Sequence, residues 1–197
     1  KVVLEEKDIG NTKFLNSKWT VWFHKTDCQI WTEESYKKIF VIDNLCSFWR
    51  FFNNFAIINK FENQIFIMKN EIKPIWEDNA NRNGGICSIK FEYYKQQKPN
   101  EAPKDVCSEI MIVFCILMMN ETLIQNNSEI NGISFSIKNK SILIKIWHKS
   151  FTYDITNKIP NALIDKINNI LKIYDKSYIK KIDNRVSIKT QKIKSED

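Results

Sequence analysis

Three of the six tryptophans, Trp31, Trp76 and Trp147, stand where an indole face can meet a ligand rather than a core. Core burial is the usual fate of a tryptophan, so context decides. Trp76 lies in an irregular polar segment, Lys-Pro-Ile-Trp-Glu-Asp (73–78), of the kind that carries function on a rigid scaffold. Trp31 lies in the loop Thr26–Glu34 between two strands, and Trp147 ends a strand next to lysine-bearing positions. Flat electron-rich rings suit stacking on a base and attraction of a cation.

Other chemistry is thinly provided. His24 and His148 are not in a metal-ligand spacing, and Cys28, Cys46, Cys87, Cys107 and Cys115 form an odd, scattered set without a C-x-x-C pair. That pattern points to a reducing compartment. Four glycines leave no Walker loop, dinucleotide fingerprint or nucleophile elbow. The pair Gly84-Gly85 reads as a tight turn into the next strand. The expectation is a binding protein, not an enzyme, with no cofactor and no metal.

The elements that must position these residues follow from periodicity. Ser17–Lys25, Lys38–Ile42, Gln64–Lys69 and Ile86–Lys95 read as strands. Asp43 is placed to cap a helix whose apolar residues Leu45, Phe48, Trp49, Phe52 and Phe55 follow the helical period. Pro103 opens a second helix running to about Asn120, apolar on nearly all sides along its second half. A helix on a sheet needs one apolar stripe, so either a partner covers the surplus or the fold buries it. Ile130–Lys138 and Ser141–His148 form a hairpin through Asn139-Lys140. In its second strand Ile142, Ile144 and Ile146 face one way, while Leu143, Lys145 and Trp147 face the other. A third helix follows Pro160, and a last strand pair is expected within Tyr178–Lys192. The class is α+β, one curved and mostly antiparallel sheet backed by helices.

Composition sets the outer bounds. A chain of 197 residues, 43 % hydrophobic and 27 % charged, suits one globular domain, with its core at about 14–192 and flexible tails at 1–13 and 193–197. The net charge of +7 favours polyanionic partners, nucleic acid among them, although a solvated lysine-rich surface gives the same balance. The longest apolar run, Ile110 to Met119, is half of the ~20 residues a bilayer span needs.

Taken in order, the motifs resemble the eukaryotic initiation factor 4E family of messenger RNA cap-binding proteins, from about Phe14 to at least Ile173. The matching stretches are Trp19-Thr-Val-Trp22-Phe23, Phe48-Trp49, Ile72-Lys-Pro-Ile-Trp76-Glu77-Asp78 with Asn81, Gly84 and Gly85, then Asn131-Gly132 and Ile144-Lys-Ile-Trp147. The resemblance implies an eight-stranded curved sheet with three helices on its convex back and a 7-methylguanosine cap in its concave side. It implies that Trp76 and Trp31 sandwich the base, that Glu77 accepts hydrogen bonds from the guanine edge, and that Trp147 touches the added methyl group. It further implies a convex groove, at Phe14, Leu45, Trp49, Ile112, Ile116 and Asn120, for an amphipathic helix of an initiation factor 4G-like scaffold or a 4E-binding protein. A cytoplasmic monomer acting in translation initiation is the corresponding expectation.

Two departures stand out. Trp31 sits one residue nearer to Trp22 than the family's stacking residue does. The family's three basic phosphate-binding positions fall on Ile86, Lys138 and Leu143, which leaves Lys138 and, as substitutes, Lys140 and Lys145 for the triphosphate. The alternative is a repressor or decoy that keeps the convex groove with weak cap affinity.

Overall fold

The computed structural model describes residues 13–92, 106–138, 141–171 and 178–184. Seven strands, β1 (Phe14–Lys25), β2 (Tyr36–Asn44), β3 (Asn63–Lys69), β4 (Gly85–Glu92), β5 (Ile130–Lys138), β6 (Ser141–His148) and β7 (Tyr178–Asp183), join in one sheet of order β2-β1-β3-β5-β6-β4-β7. Every pairing is antiparallel. The eight strands implied by the resemblance are seven among the described residues. The second member of the expected final pair falls at 185–192, outside them.

Among the described residues three α-helices accompany the sheet: α1 (Leu45–Asn53), α2 (Val106–Met119) and α3 (Asn161–Leu171). The cap of α1 is Asn44 rather than Asp43. Asn44 Oδ1 accepts from the Ser47 amide at 2.8 Å, and Ser47 Oγ accepts from the Asn44 amide at 3.0 Å. That reciprocal box satisfies two of the amide donors at the helix start. Asp43 lies one residue too early and instead accepts from Ser47 Oγ at 3.1 Å. The expected opening of α2 at Pro103 lies outside the described residues. The helix stops at Met119 because Glu121 takes a left-handed φ of 60°.

Side-chain alternation sorts the two faces of the sheet. Ile142, Ile144 and Ile146 join the main core with Phe48 and Phe52 of α1, Met111 and Phe114 of α2, and Ile164 and Ile167 of α3. Trp147, in the same strand, belongs to a second cluster with Phe66, Met68 and Ile86, to which no helix contributes. The helices therefore cover one face and leave the other open. All five cysteines are free thiols, and burial pushes the Cys87 thiol up to about 12, with Asp154 adding a smaller contribution. Among the described residues no helix is long and apolar enough to cross a membrane.

Candidate functional site

The floor of the open face is aromatic. Trp147 is only 4 % exposed, and its Nε1 donates to Ser134 Oγ at 3.2 Å, which fixes the ring against Phe66. Ile86 pairs directly with Trp147 across β4 and β6 and is buried with it. Trp22, Tyr36 and Trp76 pack around this floor, partly buried.

The loop 70–84 carries Trp76 and Glu77 and has almost no regular structure of its own. Three asparagines supply its buried side-chain hydrogen bonds. Asn81, fully buried, donates from Nδ2 to the carbonyls of Lys73 and Ile75, both at 2.9 Å. Asn131 donates to Asn81 Oδ1 at 3.0 Å, and Asn184 donates to the Asn81 carbonyl at 2.9 Å. Asp78 adds a turn by accepting from the amides of Lys73 and Ala80. At the far end Gly84 closes a turn onto the Asn81 carbonyl at 2.9 Å, as expected of a tight turn. Neither glycine has positive φ, however, and the requirement is steric, since a Cβ on Gly84 would sit 1.8 Å from the His148 carbonyl oxygen.

The loop 26–35 carries Trp31, which is 39 % exposed. One face of its indole lies flat on the His24 ring, centroids 4.1 Å apart and planes 6° from parallel. An ion pair between Lys73 and Glu33, at 2.7 Å, ties this loop to the Trp76 loop. Such an exposed pair adds at most ~1 kcal/mol to stability, so its contribution is register. Tyr36 lies tilted against both His24 and Trp31 and meets Phe66 edge-on. Burial raises the Tyr36 hydroxyl pKa well above its usual range, and the Glu77 carboxylate raises it further. Trp31, Trp76, Glu77 and Trp147 thus gather around one aromatic floor.

Basic residues are sparser. Lys145 shares the open face with Trp147, paired with Ser88 on one side and Ser134 on the other, and is half-buried. Lys138 ends β5, with only its backbone described, and Lys140 lies outside the described residues. Ile86 and Leu143 add apolar bulk to the same face, paired with Trp147 and Lys90 respectively.

The helix-covered side presents a different surface. Phe14 is 73 % exposed, and Trp49 is 47 % exposed, in company with exposed Leu45 and Ile116. Ile112 is half-buried and Asn120 exposed. The Leu45 amide donates to the Lys13 carbonyl at 3.0 Å, joining the start of β1 to α1. Asn16 donates to Glu121 at 2.9 Å, joining β1 to the end of α2.

The sequence model of the family described as eukaryotic initiation factor 4E matches residues 14–197. The chain belongs to the eukaryotic initiation factor 4E family. Relatives include eukaryotic translation initiation factor 4E of Candida albicans, 23 % identical over 91 % of this chain and 83 % of that protein. The Saccharomyces cerevisiae factor is 25 % identical over 91 % of this chain and 80 % of its own length. Among solved structures, C. elegans eIF4E-3 in complex with the 4E-binding protein Mextli superposes with a TM-score of 0.68 at 20 % identity, covering 90 % of this chain and 96 % of that one. Ascaris suum eIF4E-3 with m7G cap gives a TM-score of 0.64 at 21 % identity, covering 86 % and 90 %. At such identities the superpositions establish the fold.

Sequence reasoning passed over four residues that border these two surfaces. His24 and Tyr36 were passed over because neither fits a ligand motif, yet each sits at a strand end beside the Trp31 loop. Lys90 lies on β4 one diagonal step from Lys145, which strand alternation makes legible once the β4–β6 register is known. Val113 is 38 % exposed, three residues before Ile116 on the outer stripe of α2, and helical spacing from Ile116 marks it.

Proposed function

We propose that this initiation factor 4E family member binds the 7-methylguanosine cap of messenger RNA on its open face and links it to a helical segment of a scaffold or 4E-binding protein on the other. Trp31 and Trp76 stack on the two sides of the base, Glu77 reads its edge, and Trp147 meets the methyl group. The observation that carries this reading is the convergence of both tryptophan loops on one aromatic floor, with Tyr36 beside Trp31. Relatives of this fold have been solved with an m7G cap and with 4E-binding proteins.

Methylation of the imidazole ring makes guanine cationic, and each indole face then attracts it by ~0.5–2 kcal/mol. Stacking contributes ~1–3 kcal/mol per base, whether methylated or not. A carboxylate facing two donors supplies charge-assisted hydrogen bonds worth ~1.5–3 kcal/mol. Unmethylated guanine keeps the last two contributions and loses the first on both faces, so selectivity rests on the tryptophan pair. Binding, with no bond made or broken, is the whole activity proposed, in the cytoplasm and as a monomer.

A second reading has one specific support. Ile86 and Leu143 remove charge from the phosphate path, which favours a repressor or decoy that holds partners while binding caps weakly. Titration with 7-methyl-GTP and GTP separates the two. Cap binding predicts at least about fivefold preference for the methylated nucleotide, given a cation–π attraction lost on two faces. Equal and weak affinities would favour the decoy.

A further inference from the structure

Trp31, exposed on a loop, rests on the side chain of a buried residue of the sheet. Its indole lies on the His24 imidazole, 4.1 Å between centroids and 6° between planes. His24 ends the regular part of β1 and is only 1 % exposed. Its Nε2 lies 2.8 Å from the Ile30 carbonyl oxygen. A carbonyl can only accept, so Nε2 carries the proton and donates. The same ring therefore grips the chain at the residue before Trp31 and supports the indole itself. Nδ1 is buried with no hydrogen-bond partner among the described residues, so the ring's hold on its surroundings is the stack, the Ile30 bond and a tilted contact with Tyr36 at 4.7 Å.

We propose that His24 is a positioning residue for cap recognition, a flat platform that holds Trp31 with one indole face committed to the protein and the other presented to the base. This rests on the reading that Trp31 stacks on the cap. Trp31 is itself exposed, in the loop that joins β1 to β2. Without a platform, ordering its ring would be charged against binding, because immobilising a free side chain costs affinity. The stack meets that cost during folding. Aromatic pairing of this kind is worth ~0.5–1.5 kcal/mol, which corresponds to about two- to tenfold in affinity.

The test is a 7-methyl-GTP and GTP titration of wild type, Trp31→Ala, His24→Ala, His24→Gln and His24→Phe, reading both affinity and the number of sites. His24→Phe keeps a flat ring and loses the Ile30 bond; His24→Gln keeps a donor and loses the ring. The expected result is His24→Phe within about threefold of wild type, with His24→Gln and His24→Ala about tenfold weaker for the methylated nucleotide. Their preference for the methylated form should fall in parallel, because a loosely held Trp31 yields less cation–π attraction. A purely structural role would reduce the number of sites and leave affinity and preference per site unchanged. That outcome overturns the proposal, as does His24→Phe binding as weakly as His24→Gln. If His24→Ala does not fold, the Phe and Gln variants decide alone. Wild-type affinity in Trp31→Ala would instead sink the stacking reading itself, and so is distinguishable from failure of the platform.

Discussion

The open face and the helix-covered face of this protein both present tryptophans, and they hold them in opposite ways. On the open face every ring of the proposed cap site is restrained by something specific. Trp147 is hydrogen-bonded to Ser134, Trp31 is stacked on His24, and the Trp76 loop hangs on Asn81. On the other face Trp49 touches its neighbour Phe48 edge-on at 5.1 Å and is otherwise half exposed; Phe14 and Leu45 are exposed too. A small charged ligand offers little area, so its recognition demands preset geometry. A helix burying several side chains gains from area and tolerates adjustment. The difference predicts that the two faces fail differently and independently.

The largest effect is expected at Trp76. Trp76→Ala removes one stacking face and one cation–π partner, together ~1.5–5 kcal/mol, and should weaken 7-methyl-GTP binding by about tenfold to several thousandfold. Binding of an amphipathic partner helix should be unchanged. A parallel loss at both faces would show that they are coupled, and the contrast drawn above would fail.

Trp49→Ala is the mirror experiment. Central aromatic anchors of helix-in-groove interfaces commonly cost ~2–4 kcal/mol when truncated, or about thirtyfold upward. Partner-helix affinity, measured by fluorescence anisotropy with a labelled 4E-binding peptide, should fall by that factor while cap affinity stays within about twofold. Phe14→Ala, at the rim, should cost less than Trp49→Ala, since exposed edges of an interface contribute little.

How much of this was readable without coordinates follows the same division. The strands, the three helices and the alternation that turns Trp147 away from Ile146 are local properties, set by period and by turn residues, and they are in the sequence. The outer stripe of α2 was legible too, because an apolar helix with no polar side advertises a second contact. The cap of α1 was misplaced by one residue, since Asp43 and Asn44 are both good caps and only Ser47 at the right distance chooses between them. His24 under Trp31 was not legible at all. The contact is made by a loop folding back across seven residues, and no periodicity encodes it. Nor does periodicity show that Asn81, Asn131 and Asn184, far apart in the chain, share one network.

That network gives an intermediate prediction. Asn81→Ala leaves the carbonyls of Lys73 and Ile75 without their shared donor and Asn131 with only the Ala80 carbonyl as an acceptor. Each unsatisfied buried group costs ~1–3 kcal/mol, so a loss of about 2–4 kcal/mol in denaturant unfolding is expected. Cap affinity should fall with it, because the Trp76 loop loses its hub. Partner-helix affinity per folded molecule should not. Unchanged cap binding in a destabilised Asn81→Ala protein would mean that the Lys73–Glu33 tether suffices to place Trp76.

The smallest effect concerns charge, and it sharpens the contrast because only the open face has a phosphate to meet. With Ile86 buried against Trp147 and Leu143 beside Lys145, the described basic side chains on that route are Lys145 and Lys90, on neighbouring strands. Each lysine that neutralises a single-strand phosphate contributes about 0.7 to the slope of log affinity against log salt. Lys145→Ala should therefore lower that slope by about 0.7 and weaken 7-methyl-GTP binding by a few-fold at low salt, with 7-methylguanosine lacking phosphates unaffected. Lys90→Ala, one diagonal step further from Trp147, should do the same more weakly. If neither substitution moves the slope, the triphosphate leaves the pocket by another path, past the end of β5 at Lys138, and the apolar Ile86 row is a wall along that path rather than a gap in it.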